Sequence, residues 1–79
     1  MLFKEAVSKR ILELCNIYKI TPNRLAELSA IAPSTLRDIL SLRIANPSTY
    51  VIYCLCKTLK ISLKDFYDSE LFSYDNLID

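Results

Sequence analysis

Apolar residues recur along this chain at intervals of three and four, and that spacing divides it into helices. Phe3, Val7, Ile11, Leu14 and Tyr18 make the longest such stripe, uninterrupted by proline or glycine, and predict a first helix over Phe3 to Tyr18. Thr21 then precedes Pro22. A side-chain acceptor next to a residue of preset φ marks the start of a second helix, whose apolar set is Leu25, Ala26 and Leu28. Ala30-Ile31-Ala32 reads as a turn with Ile31 buried between helices, and Pro33 opens a third helix that carries Leu36, Ile39 and Leu40. Helices of fewer than about ten residues do not persist alone, because one or two turns cannot offset the nucleation cost. The pair within Thr21 to Leu40 therefore needs a further element to pack on.

Beyond Leu40 the pattern loosens into a loop, Ser41 to Asn46. Pro47 pushes Asn46 out of helical geometry, Ser48 is placed to cap a fourth helix, and Thr49 to Leu59 forms that helix. Ser62 with Asp65 three residues on resembles a capping box, and Leu63 and Phe66 supply a short fifth helix. Tyr50 to Cys56 is rich in β-formers, yet no stretch alternates with period two for long enough to make a strand. The expectation is all-α, with five helices and no sheet.

Composition narrows the function. The 79 residues allow one domain and one small core, and 52% hydrophobic with 24% charged residues is globular rather than disordered. No apolar run approaches the roughly 20 residues of a membrane span, and Lys4 and Glu5 come directly after Met1-Leu2-Phe3 with no export signal behind them, so a cytoplasmic protein without a membrane partner is expected. Cys15, Cys54 and Cys56 make no Cys-x-x-Cys pair, and histidine is absent. Zinc spacing and a Cys/His nucleophile are thereby excluded, and reduced thiols acting as small apolar residues remain. Without a glycine-rich phosphate loop or paired carboxylates, no catalytic site, metal, cofactor or small-molecule ligand is expected. The net charge of +1 hides an asymmetry: ten basic and five acidic residues lie in 1–67, whereas 68–79 carries Asp68, Glu70, Asp75 and Asp79 and no cation. A mildly basic body with an acidic, partly apolar tail is compatible with an anionic partner.

At this point the residues resemble the Cro-type phage repressors and the wider XRE-type helix-turn-helix regulators, over about Val7 to Phe66. Leu25-Ala26, Ile31, Leu36 and Ile39 fall on that family's internal positions, with Ala26 as the small residue where the two helices cross. Asn46-Pro47-Ser48 and Leu59-Lys60-Ile61-Ser62-Leu63 match its phrases before helices four and five. The resemblance implies a five-helix, lambda-repressor-like domain over 1–67 that binds double-stranded DNA as a small transcriptional regulator, a repressor in type, with recognition helix 33–41 in the major groove. With Leu36, Ile39 and Leu40 inward, the helical wheel turns Ser34, Asp38 and Ser41 outward, flanked by Thr35 and Arg37. By similarity Pro33, Ser34 and Asp38 match base-contacting positions. Arg37 can pair with a guanine or grip a phosphate, and Asp38 can accept from cytosine N4 or act as a filter against wrong sites. For phosphates the resemblance points to Asn23, Arg43, Asn46 and Ser48, of which Ser48 has a plainer use as a cap and Arg43 as a solvated loop residue.

The chain departs from that pattern in having no glycine. Lys19, Ala30, Leu42 and Lys60 occupy four positions where the family often places one to close a helix with positive φ, so either the turns are rebuilt or the strain is tolerated. Pro22 stands where many relatives hold phosphate with a glutamine, and Ala32 replaces a common serine cap. Helix four, if it buries Ile52, Leu55, Cys56 and Leu59, leaves Tyr50, Tyr53, Cys54 and Lys57 on a side that is normally polar, and Leu12 and Ile17 add to the surplus. Two covers are open: the tail at 68–79, with Leu71 and Phe72 among its apolar groups, or a second copy of the chain. A homodimer suits paired DNA half-sites, whereas a protein-interaction module that keeps the fold without DNA is the alternative reading.

Overall fold

The computed structural model covers Met1–Asp79 and is all-helical. Its helices are α1 (Phe3–Ile17), α2 (Pro22–Leu28), α3 (Pro33–Leu40), α4 (Thr49–Leu59) and α5 (Leu63–Tyr67), with a single 3-10 turn after them at Glu70–Phe72. The helix starts obey the local chemistry. Thr21 Oγ1 accepts from the Arg24 amide at 3.2 Å, and Ser48 Oγ accepts from the Tyr50 amide at 3.1 Å. At α5 the capping box closes in both directions: the Asp65 amide donates to Ser62 Oγ at 2.9 Å, and the Ser62 amide donates to Asp65 Oδ2 at 3.1 Å. Hydrogen bonding from Ser62 holds the Asp65 carboxyl below its ordinary value.

The core gathers one stripe from every helix: Val7, Ile11 and Leu14 from α1, Leu25 from α2, Leu36 and Ile39 from α3, Ile52 and Leu55 from α4, and Phe66 from α5. Helices α2 and α3 lean on each other and both touch α1, while α4 bridges from α2 to α5. Each short helix thus buries its apolar face against its neighbours, which supplies the stability that its own length cannot. Cys15 and Cys56 belong to this core, and burial pushes both thiols up, so they stay protonated and pack as small apolar groups.

Polar side chains tie the layers where backbone groups run out. Arg10 reaches from α1 to the end of α5, where Nε donates to the Phe66 carbonyl at 2.7 Å and Nη2 donates to the Asp65 carbonyl at 2.9 Å. Thr58 Oγ1 donates to the Cys54 carbonyl at 3.3 Å, which leaves Ser29 Oγ to donate to Thr58 across 2.6 Å and fixes the end of α2 against α4.

Every position where the sequence lacks an expected glycine is left-handed: Lys19 (φ 55°), Ala30 (φ 56°), Leu42 (φ 67°) and Lys60 (φ 59°). The turns are not rebuilt; the strain is carried. Each such residue costs on the order of 1 kcal/mol relative to glycine.

Several inward assignments are corrected. Tyr18 and Leu28 are exposed, because α1 and α2 end at or just before them and the chain turns away from the core. Ile31, Leu40 and Leu59 are half-buried at the rim rather than enclosed. The tail folds back along α1. Phe72 sits against Phe3, Phe66 and Tyr67 with ring centroids 6.0, 6.1 and 4.9 Å away. The Met1 amino group donates to the Asn76 carbonyl at 2.6 Å, the Ile78 amide donates to the Met1 carbonyl at 3.0 Å, and Asp79 Oδ1 caps α1 by accepting from the Phe3 amide at 2.9 Å.

Candidate nucleic-acid interface

Helix α3 is held by its ends and bare along one side. Pro33 and the extended Ala32 set its start without any side-chain cap, since alanine has no acceptor to offer. At its far end Ser8 Oγ donates to the Leu40 carbonyl at 3.2 Å, and Lys4 Nζ donates to the Leu42 carbonyl at 3.0 Å, so two α1 side chains fix the carbonyl end of α3. Lys4 also brings a cation to the negative end of a helix dipole. The spacing of these two residues, with Lys4 seven and Ser8 three residues before the buried Ile11, puts both on the inner face of α1, but the carbonyls they meet lie at the far end of α3 and leave no mark in the sequence.

The bare side opens onto a groove of about 360 Å³ between the start of α2 and α3, lined by Pro22, Asn23, Pro33, Leu36, Arg37, Leu40 and Ser41. Of the anticipated base-reading residues, Pro33, Arg37 and Ser41 share this groove, and Asn23, anticipated for phosphate, joins them. Ser34 is exposed on the same helix outside the groove, and Thr35 is half-buried. Helix α3 closes at Leu40, one residue short of the 33–41 span, with Ser41 in the closing position.

Asp38 does not stand free. Its carboxylate lies 3.8 Å from Arg43 Nη1, in an open setting where the two side chains are 41% and 78% exposed. Its carbonyl accepts from the Arg43 amide at 2.9 Å and from Ser41 Oγ at 3.4 Å. Arg24, exposed on α2, is likewise paired, to Glu27 at 3.3 Å. That leaves Arg37 as the cation of this groove that makes no ion pair. Asn46 and Ser48 lie before α4, outside the groove; Ser48 is a working cap whose hydroxyl proton remains available to donate.

The structure divides the six residues grouped around helix four and the tail. Tyr50, Tyr53, Cys54 and Lys57 line a second cleft of about 430 Å³ with Leu28, Ser29, Ala30 and Thr58. Its two tyrosine rings lie 6.3 Å apart, and Tyr50 is 70% exposed. Hydrogen bonding to the Cys54 thiol pushes the Tyr50 phenol up. Leu71 and Phe72 are elsewhere, packed in the same chain beside α1 and α5, so the tail does not cover this cleft. No group of side chains capable of holding a metal ion is present, and no helix is long and apolar enough to cross a membrane.

Two short helices joined by a brief turn and packed on each other, with Ala26 buried and the second helix polar on its outer side, make a helix-turn-helix. The family profile of the Cro/C1-type HTH DNA-binding domain matches residues 10–70, most of the chain, and the protein belongs to that family. No curated protein and no solved structure matches it. Duplex DNA is the partner class that membership brings, and regulation the kind of function.

Proposed function

We propose that this chain is a sequence-specific repressor that acts in the cytoplasm, lays α3 in the major groove of duplex DNA and binds as a homodimer. The observation that carries the reading is the open groove in which Asn23, Arg37 and Ser41 converge beside the start of α2 and the outer side of α3. An arginine at that place can take the O6 and N7 of a guanine, Ser34 and Thr35 offer hydroxyls to base edges, and Asn23, Arg43, Asn46 and Ser48 flank the helix for phosphates. With so few free cations on the face, one head binds weakly. Two heads on paired half-sites restore affinity and specificity. The uncovered Tyr50, Tyr53 and Cys54 surface, rimmed by Lys57, is the dimer contact in this reading.

The test is fluorescence anisotropy against a random duplex pool and the sequences enriched from it. Binding is expected to fall as salt rises, because phosphate contacts release counterions, and Arg37→Ala is expected to abolish enrichment. Absence of binding to any duplex at low salt would overturn the proposal. Light scattering on free and DNA-bound protein tests the dimer, and a monomeric mass in both states would remove it. The same uncovered aromatic surface favours a second reading, a protein-interaction module, which a partner seated at Tyr50 and Tyr53 with no salt-sensitive DNA binding would establish.

A further inference from the structure

Four helices of this protein end on one backbone closure. In each, the amide of the left-handed residue bonds three residues back and the next amide bonds five back: Lys19 to Asn16 and Ile20 to Cys15, Ala30 to Glu27 and Ile31 to Ala26, Leu42 to Ile39 and Arg43 to Asp38, Lys60 to Lys57 and Ile61 to Cys56, at 2.9 to 3.4 Å. This closure brings the side chain after the left-handed residue over the one five positions earlier. At α1, α2 and α4 the later residue is an isoleucine packed on the core, and the earlier one, Cys15, Ala26 or Cys56, is buried. At α3 the apolar pair is replaced by Asp38 and Arg43, and Ile44, one residue on, takes the inward place. The only charged pair of the four sits where α3 faces outward.

Resting on the proposal that α3 reads DNA, we infer that Asp38 determines specificity by holding Arg43. In the free protein and over a wrong sequence, the carboxylate occupies the guanidinium that a phosphate would otherwise take. A site that presents an amino donor to Asp38, such as cytosine N4, draws the carboxylate to the base and releases Arg43 to the backbone. Base readout and phosphate grip are coupled through one ion pair. An exposed pair is weak, so the coupling is expected to be a few-fold rather than a gate.

The experiment is a double-mutant cycle on DNA affinity. Wild type, Asp38→Asn, Asp38→Ala, Arg43→Ala and Asp38→Ala/Arg43→Ala are titrated with random-sequence duplex and with the duplex enriched by the wild type, across a salt series. Both Asp38 variants are expected to bind random duplex about two- to fivefold more tightly. Their slope of log affinity against log salt steepens by about 0.9, the signature of one added phosphate contact. Preference for the enriched duplex falls, and the whole gain vanishes in the Arg43→Ala background. An Asp38 variant with unchanged affinity for random duplex would overturn the inference. So would an equal gain with and without Arg43, since that is direct repulsion between Asp38 and DNA. Wild type that binds no duplex defeats the DNA reading itself, and the inference with it, before any variant is compared.

Discussion

The closing turns of α1, α2 and α4 and the closing turn of α3 share a backbone and differ in the side chains they carry. In the first three, Ile20, Ile31 and Ile61 come after a left-handed residue and return to the core. In the fourth, Arg43 comes after Leu42 and stays outside, 78% exposed, beside Asp38. The comparison teaches that the turn fixes where a side chain emerges, while the side chain decides whether it packs on the core or stays in solvent. Scaffold and candidate site can therefore be separated by substitution at equivalent positions.

The largest effect is expected where the inward version is forced to resemble the outward one. Ile61→Arg removes a half-buried apolar side chain and sets a charge against the core, at a cost of about 2 to 3 kcal/mol. In a domain of this size that lowers the melting temperature by roughly 10 °C or more, measurable by circular dichroism. A melting temperature within a few degrees of wild type would mean that the closure at Ile61 is as indifferent to charge as the one at Arg43.

Arg10 sharpens the contrast from the opposite side, since it is an arginine turned inward. Its side chain is only 13% exposed and satisfies the Phe66 and Asp65 carbonyls. Arg10→Ala leaves both acceptors without that donor and is expected to cost about 2 kcal/mol. Arg10→Lys is expected to recover part of this, because an ammonium cannot span both carbonyls in the fork geometry of a guanidinium. Urea denaturation at constant m-value reads both. Equal stability of wild type and Arg10→Ala would reduce the staple to a surface contact.

The contrast also marks what a sequence reveals. Helix starts at Thr21-Pro22, Ser48 and Ser62-Asp65 are legible because capping is local chemistry decided within three residues, and the uncapped start at Pro33 because proline presets φ. The four left-handed positions are legible only as places where the resemblance expects glycine; that the turns keep positive φ without it, rather than being rebuilt, is decided by the structure. Arg10 and Lys4 are not legible as structural cations, since their acceptors lie on α5 and at the end of α3, and only the tertiary fold brings them together. The pairing of Arg43 with Asp38 escapes a helical wheel for a different reason: the wheel places Asp38 outward and stops at Ser41, two residues before Arg43. The tail's course along α1 depends on Phe72 meeting Phe3, Phe66 and Tyr67, and apolar composition alone leaves it equally suited to the Tyr50 surface.

Glycine at the strained positions tests the shared backbone. Lys60→Gly relieves a φ of 59° and is expected to stabilise the protein by about 1 kcal/mol, raising the melting temperature by roughly 4 to 8 °C. Leu42→Gly relieves a φ of 67° but also removes a half-buried leucine, so a smaller gain is expected there. A lower melting temperature for Lys60→Gly would show that the lysine side chain contributes more than its backbone costs.

The smallest effect on stability belongs to Arg43, and its smallness is the point. Arg43→Ile gives α3 the same residue type that comes after the left-handed position in α1, α2 and α4. The inward place is already filled by Ile44, and the Asp38 to Arg43 contact is open to solvent at 3.8 Å, so stability is expected to change by no more than about 0.5 kcal/mol. Affinity for the enriched duplex is expected to fall, with the salt slope shallower by about 0.9 because one phosphate contact is gone. Ile61→Arg is thus expected to harm folding, whereas Arg43→Ile is expected to harm binding and spare folding. If Arg43→Ile instead lowers the melting temperature and leaves the salt slope unchanged, the α3 closure is scaffold like the other three, and the phosphate contact must be sought at Asn23, Asn46 or Ser48.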